Sequence, residues 1–237
     1  LQERLQEVEE RILRAAGRAG RKREEITLVA VTKVFPASVI HEAYALGIRD
    51  FGENYVQEFE RKAPEVAALA SARFHLIGHL QSNKAKKAAA LFQLIHTIDT
   101  PKLARRLNEA GARLDVFVEV KLSEEEAKSG VAPENLPELI EVIRGCSNLC
   151  LRGLMTMPPW SENAEDSRPY FQRLRKLADE HRLSCLSMGM SNDFEVAIEE
   201  GLRTFESGSP VWTQEEDLTV GFFSPLPPAR TGVADYS

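Results

Sequence analysis

The stretch Ile26-Thr27-Leu28-Val29-Ala30-Val31-Thr32-Lys33 decides how the chain is read. Its first seven residues are apolar or β-branched, the pattern of a strand buried on both faces, as in a parallel sheet covered by helices. Lys33 closes that strand, and Val34-Phe35-Pro36 breaks the pattern before a helical segment opens at Ala37-Ser38. The carboxyl end of a buried first strand is where α/β proteins place reactive groups. A lysine there also has a bland option, snorkelling to solvent.

Working outward, residues 1–19 carry Leu1, Leu5, Val8, Ile12, Ala15 and Ala19 at helical spacing, with Glu7–Arg11 and Glu10–Arg14 on the polar side. Strands are expected at 26–32, 49–52, 73–79, 94–98, 115–121, 151–156, 184–189 and 203–207. Helices are expected between them, at 37–46, 54–70, 82–91, 101–110, 133–144, 164–181 and 192–200. Eight strands alternating with helices is the count of a (β/α)8 TIM-type barrel. An open doubly wound sheet is the rival, and the missing glycine-rich loop after the first strand counts against its common dinucleotide-binding form.

The 237 residues, 43% hydrophobic and 28% charged, suit one barrel or two small domains, and no linker or repeat argues for two. With 30 basic and 36 acidic residues the net charge is −6, which argues against a broad nucleic-acid surface. No apolar run is long enough for a bilayer span and the N-terminal segment is not signal-like, so a cytoplasmic protein is expected. Three cysteines do not suggest a disulfide framework, and Cys146 and Cys150 lack a paired Cys/His motif. His75 and His79, read on one strand, would lie ~13 Å apart, too far to share a metal ion.

In a barrel the loops after the strands share one face. The first strand offers Lys33 there, the second Phe51-Gly52-Glu53-Asn54-Tyr55, and the third Gly78-His79-Leu80-Gln81-Ser82-Asn83-Lys84. The sixth ends in Gly153-Leu154-Met155-Thr156-Met157-Pro158 and the seventh in Ser187-Met188-Gly189-Met190-Ser191-Asn192-Asp193. The last run combines small residues, serines and backbone donors, a cradle suited to phosphate. A turn or N-cap explains Ser191 or Asp193 equally well. Together with Lys33 these ends describe a cradle for a phosphorylated carbonyl compound, with the lysine amine as nucleophile.

The segments Ala30-Val31-Thr32-Lys33, Phe51-Gly52-Glu53-Asn54-Tyr55-Val56-Gln57-Glu58, Ile77-Gly78-His79-Leu80-Gln81-Ser82-Asn83-Lys84, Arg152-Gly153-Leu154-Met155 and Leu186-Ser187-Met188-Gly189-Met190-Ser191-Asn192-Asp193 resemble, in order, the pyridoxal phosphate homeostasis protein family. The resemblance implies a single barrel of the alanine-racemase type. It implies pyridoxal 5′-phosphate bound as a Schiff base on Lys33 and buffered or delivered without a dedicated catalytic reaction. It also implies Asn54 beside the ring, Ser187 with its following turn (Met188 and Ser191) at the phosphate, and Gly208 and Ser209 as further cofactor contacts. Glu53 is either a supporting partner or half of a structural salt bridge. Expected partners are the cofactor and apo-enzymes that use it, with no nucleic acid and no membrane, and the protein is expected to be a monomer. Two alternatives are an amino-acid racemase dependent on the same cofactor and a Schiff-base aldolase acting on a sugar phosphate. The racemase of this barrel type takes its second acid/base from a tyrosine of an added β-domain and partner subunit.

The resemblance stops near the eighth strand. The family carries Arg-Ile-Gly there, whereas this chain reads Thr204-Phe205-Glu206-Ser207-Gly208-Ser209-Pro210. Aligned on Gly208, the arginine becomes Glu206, a charge reversal beside an anion. Residues 1–209 are therefore expected to form the cofactor-binding barrel, with an atypical eighth strand. Residues 210–237 are expected to be a divergent tail, either disordered or translated in a shifted frame. Codons exist for Leu202-Arg203-Thr204-Phe205-Glu206-Ser207-Gly208 that, read two bases later, spell Ser-Tyr-Val-Arg-Ile-Gly.

Overall fold

The strand Leu28–Val31 is one stave of a closed barrel. The computed structural model describes residues 1–123 and 129–201, and the backbone of 220–225. Eight parallel strands pair in chain order, and the eighth pairs back on the first. They are β1 Leu28–Val31, β2 Asp50–Glu53, β3 Arg73–Leu76, β4 Leu94–Ile98, β5 Leu114–Glu119, β6 Leu149–Met155, β7 Cys185–Met190 and β8 Val220–Pro225. The helices are α1 Gln2–Arg18, α2 Ala37–Ala45, α3 Val56–Val66, α4 Ala85–Leu91, α5 Pro101–Glu109, α6 Leu136–Arg144, α7 Arg168–Glu180 and α8 Phe194–Glu200.

The two-sided burial read in β1 has a simple cause. Leu28 and Ala30 pack outward in the layer under the helices, while Val29 and Val31 pack inward with Ile77 and Met190. The outer layer is filled by large side chains such as Phe59 of α3, whose ring lies 4.5 Å from that of Phe74 and 4.9 Å from that of Phe92. Burial of each such ring contributes about 1.5–3 kcal/mol. The first helix packs against the last, tied by Arg11–Glu195 at 3.1 Å and Arg18–Glu199 at 2.7 Å.

Two expectations are corrected. The third strand ends at Leu76, so His79 lies beyond it, exposed and 3.7 Å from Asp99. The eighth place in the barrel is taken by Val220–Pro225, within the segment that the sequence reading assigns to the tail. The sequence gives the reason. Val220-Gly221-Phe222-Phe223 is rich in strand-forming residues. Residues 203–207, together with Gly208 and Ser209, lie outside the described residues. Among the described residues no helix is long and apolar enough to cross a membrane.

Candidate functional site

Lys33 follows Val29 and Val31 at the parity that faces the barrel interior, two residues beyond the strand. It is half-buried, and its side chain makes no hydrogen bond or ion pair among the described residues. Both of its neighbours are fixed. The Thr32 N–H donates to the Gly52 carbonyl at 2.9 Å and the Thr32 hydroxyl to Glu53 at 2.7 Å. Lys62 of α3 donates to the Thr32 carbonyl at 2.8 Å and pairs with Glu53 at 2.9 Å and Glu58 at 2.7 Å. Glu58 in turn accepts from the Val34 N–H at 2.6 Å. Val34 has φ of 62°, a left-handed conformation that costs a β-branched residue about 1–3 kcal/mol. Glu53 is thus part of the clamp on the chain around Lys33. Burial raises its carboxyl above the usual carboxylate range, against the pull of Thr32 and Lys62.

The neighbouring strand ends are packed without slack. Asn54, half-buried, follows β2, and a Cβ on Gly78 would lie 2.3 Å from the Asn54 carbonyl oxygen. The Thr97 hydroxyl at the end of β4 donates to the Gly78 carbonyl at 2.8 Å.

On β7, Ser187 faces inward and is fully buried, whereas Met188 packs with Leu186 in the outer layer. The Met188 side chain is therefore turned away from the mouth, and any contact it makes with a ligand there is through its main chain. Ser191 is exposed on the turn that follows. Asp193 shapes that turn, accepting from the Met190 N–H at 2.6 Å and the Ser167 hydroxyl at 2.7 Å. Gly189, at φ of 90°, supplies a bend open to glycine, and a Cβ there would meet Ala197 at 2.8 Å. Asn192 donates to the Ser161 carbonyl at 2.9 Å, tying the loop that carries exposed Trp160 to the same turn.

Two features escape the sequence reading. The first is a line of buried polar side chains through the barrel, Asp50, His75, His96 and Ser187, with exposed Arg73 paired to Asp50. The second is Glu119 at the end of β5, in one paired row with Met155 and Ser187. Its Oε2 is buried without a hydrogen-bond partner among the described residues, and burial, reinforced by Asp99, pushes the carboxyl up to about 7. Both were open to strand parity, since Asp50, His75, His96, Glu119 and Ser187 fall on inward positions of their strands.

The mouth thus offers, among the described residues, an unpaired amine on the β1 wall, hydroxyls and main-chain donors around β7, and an unpaired buried carboxyl on β5. Such a donor set fits a small anionic aldehyde with polar groups around its ring. The family model described as the alanine racemase N-terminal domain matches residues 4–208. The pyridoxal phosphate homeostasis protein of Aquifex aeolicus is 44% identical over 217 residues, covering 87% of this chain and 95% of the relative. That of Pseudomonas aeruginosa is 43% identical over 216 residues, covering 89% and 94%. The chain belongs to the pyridoxal phosphate homeostasis protein family. PipY of Synechococcus elongatus, solved with PLP bound, is 33% identical with a TM-score of 0.74, covering 90% of this chain and 97% of PipY. The barrel is accordingly that of the alanine racemase N-terminal domain, built here without gaps between its strands.

Proposed function

We propose that this protein holds pyridoxal 5′-phosphate at the barrel mouth, covalently through Lys33, and keeps it available to other proteins. The observation that carries this reading is the Lys33 amine itself: half-buried, unpaired among the described residues, and flanked by two residues clamped to α3. When bound, the cofactor supplies an aldehyde that a lysine amine can hold reversibly. Lys33 provides that amine, and Thr32, Glu53 and Lys62 keep it in place. Asn54 borders the ring, and Ser187, the Met188 main chain and Ser191 receive the phosphate, with Gly208 and Ser209 as further candidates. Apo-enzymes that need the cofactor are the proposed recipients, and the cytoplasm is the proposed compartment.

The test is an absorption spectrum of the purified protein with and without added pyridoxal 5′-phosphate. A visible band is expected in the parent and none in Lys33→Ala, and borohydride should fix the cofactor to Lys33. An adduct mapped to a different lysine, with Lys33 unmodified, rejects the assignment. Transfer to an apo-enzyme without turnover of free amino acids is expected. Racemisation that vanishes in Lys33→Ala would replace the carrier with a racemase.

A further inference from the structure

The line of buried side chains beneath the mouth has a direction. Asp50 Oδ1 lies 2.8 Å from His75 Nε2, His75 Nδ1 lies 2.9 Å from His96 Nε2, and His96 Nδ1 lies 2.8 Å from the Ser187 hydroxyl. All four residues are buried. Burial pushes the Asp50 carboxyl up, but bonds from His75 and Arg73 outweigh it and hold Asp50 as a carboxylate, which only accepts. Burial lowers His75 despite Asp50, and burial beside His75 lowers His96 well below the ordinary range, so both imidazoles are neutral.

A neutral imidazole has one N–H, which settles every hydrogen in the line. His75 donates from Nε2 to Asp50, so its Nδ1 is bare and must accept from His96 Nε2. The His96 Nδ1 is then bare in turn and accepts from Ser187. The hydroxyl hydrogen of Ser187 is committed inward, and Ser187 offers lone pairs alone to anything above it. A phosphate dianion meeting those lone pairs is repelled.

One added proton reverses the line. We propose that Asp50, His75 and His96 act as a proton-linked positioning relay that turns the Ser187 hydroxyl toward a bound phosphate. The inference rests on the reading of Ser187 as a phosphate contact. A phosphate monoanion gives its proton to Ser187 Oγ, the old Ser187 hydrogen moves to His96 Nδ1, and the His96 Nε2 hydrogen moves to His75 Nδ1. Three O–H or N–H bonds break and three form. The phosphate becomes a dianion facing a hydroxyl donor, and the positive charge rests on His75 against Asp50. Binding the dianion directly draws the same proton from solvent.

The groups around the line agree with that resting place. Asp50 on β2 faces His75 directly, and Asp115 on β5 favours its charged form. Arg73 on β3 opposes it, and Arg152 on β6 is engaged by Asp115 at 3.1 Å. Cys185 of β7 lies in the apolar patch with Phe117, whose ring stacks on His96 at 4.6 Å. Glu119 on β5 shares the paired row of Ser187, and Lys33 follows β1 at inward parity.

The test uses pyridoxine 5′-phosphate, which lacks the aldehyde and so isolates the phosphate contact from attachment to Lys33. Nitrogen-15 NMR of the free protein should show both histidines as Nε2–H tautomers, and addition of the probe should convert His75 to the doubly protonated form. Calorimetry at about pH 8, where the probe's phosphate is a dianion, in buffers of different ionisation enthalpy should show uptake of about one more proton in the parent than in His75→Gln. An Nδ1–H tautomer at either histidine of the free protein, or binding with no change at His75, would overturn the relay. Failure of both the probe and pyridoxal 5′-phosphate to bind would instead sink the cofactor reading, and the linkage with it.

Discussion

Lys62 and Glu53 form a buried ion pair, Nζ to Oε1 2.9 Å, directly behind the chain on either side of Lys33. The same ammonium holds the Thr32 carbonyl, and its second carboxylate partner, Glu58, holds the Val34 N–H. The pair therefore acts less as a source of net stability than as the clamp that sets the backbone on which Lys33 stands. Taking two charges out of water costs about as much as their attraction returns, but removing one leaves the other stranded.

Lys62→Met should accordingly destabilise the protein by about 3–5 kcal/mol, because it leaves Glu53 buried without its cation. The double variant Lys62→Met with Glu53→Gln should recover most of that loss in a denaturant titration, yet still retain cofactor poorly because the Thr32 carbonyl has lost its donor and Glu58, which holds Val34, has lost its cation. Equal stability of the single and double variants would show that the Glu53 charge is compensated elsewhere.

Glu119 predicts a pH dependence. Its folded carboxyl is raised from 4.5 to about 7, so the folded state keeps a proton that the unfolded chain releases. Stability is fullest below about 4.5 and is lost as pH rises toward about 7, a total of about 3 kcal/mol. Glu119→Gln removes this dependence. Relative to the parent, the variant should gain about 2–3 kcal/mol between pH 5 and pH 8, read from denaturant midpoints. A constant difference across that range would show that Glu119 is ionised in the folded protein.

Gly78 sets the distance between the ends of β2 and β3. An alanine Cβ would lie 2.3 Å from the Asn54 carbonyl oxygen and 2.8 Å from the Asn54 Cα, a clash with main chain that no rotamer relieves. Gly78→Ala should cost at least about 1–3 kcal/mol and shift Asn54. Loss of cofactor retention greater than the loss of fold, measured by spectral titration below the unfolding transition, would mark Asn54 as a ring contact. Unchanged retention would remove Asn54 from the site.

The sequence yields the barrel because burial on both strand faces leaves a run as plain as Leu28–Val31, with Leu94–Ile98 equally enclosed. It yields Lys33 because a charge after such a run stands out. It does not yield the partners of polar residues inside the barrel. Asp50, His75 and His96 are 21–25 residues apart and meet only through strand pairing. His75 invited a metal reading from its neighbour in sequence, while its partners lay on adjacent staves. Met188 shares the parity of outward-facing Leu186, which leaves only its main chain for a ligand at the mouth. Val34 was not legible at all, because a positive φ at a β-branched residue is imposed by the Glu58 bond rather than favoured by the residue.

The family model matches as far as residue 208, and the Arg-Ile-Gly that the resemblance implies for this stretch would set its arginine at Glu206. Codons that encode residues 202–208 can spell Ser-Tyr-Val-Arg-Ile-Gly two bases later, and we propose a shifted frame as the source of Glu206 and of the residues that follow. The barrel is nevertheless closed, by Val220–Pro225 pairing with β7 and β1. A frame-restored chain should instead draw its eighth strand from the Arg-Ile-Gly segment and hold the cofactor more tightly. One charge-assisted hydrogen bond to the anion contributes about 1.5–3 kcal/mol, or roughly 10- to 100-fold in Kd. Sequencing the gene decides the first point, since codons that cannot give Arg-Ile-Gly in another phase end the idea. Comparison of cofactor Kd between the two chains decides the second, and equal values would mean that Glu206 and the residues after it do not touch the site.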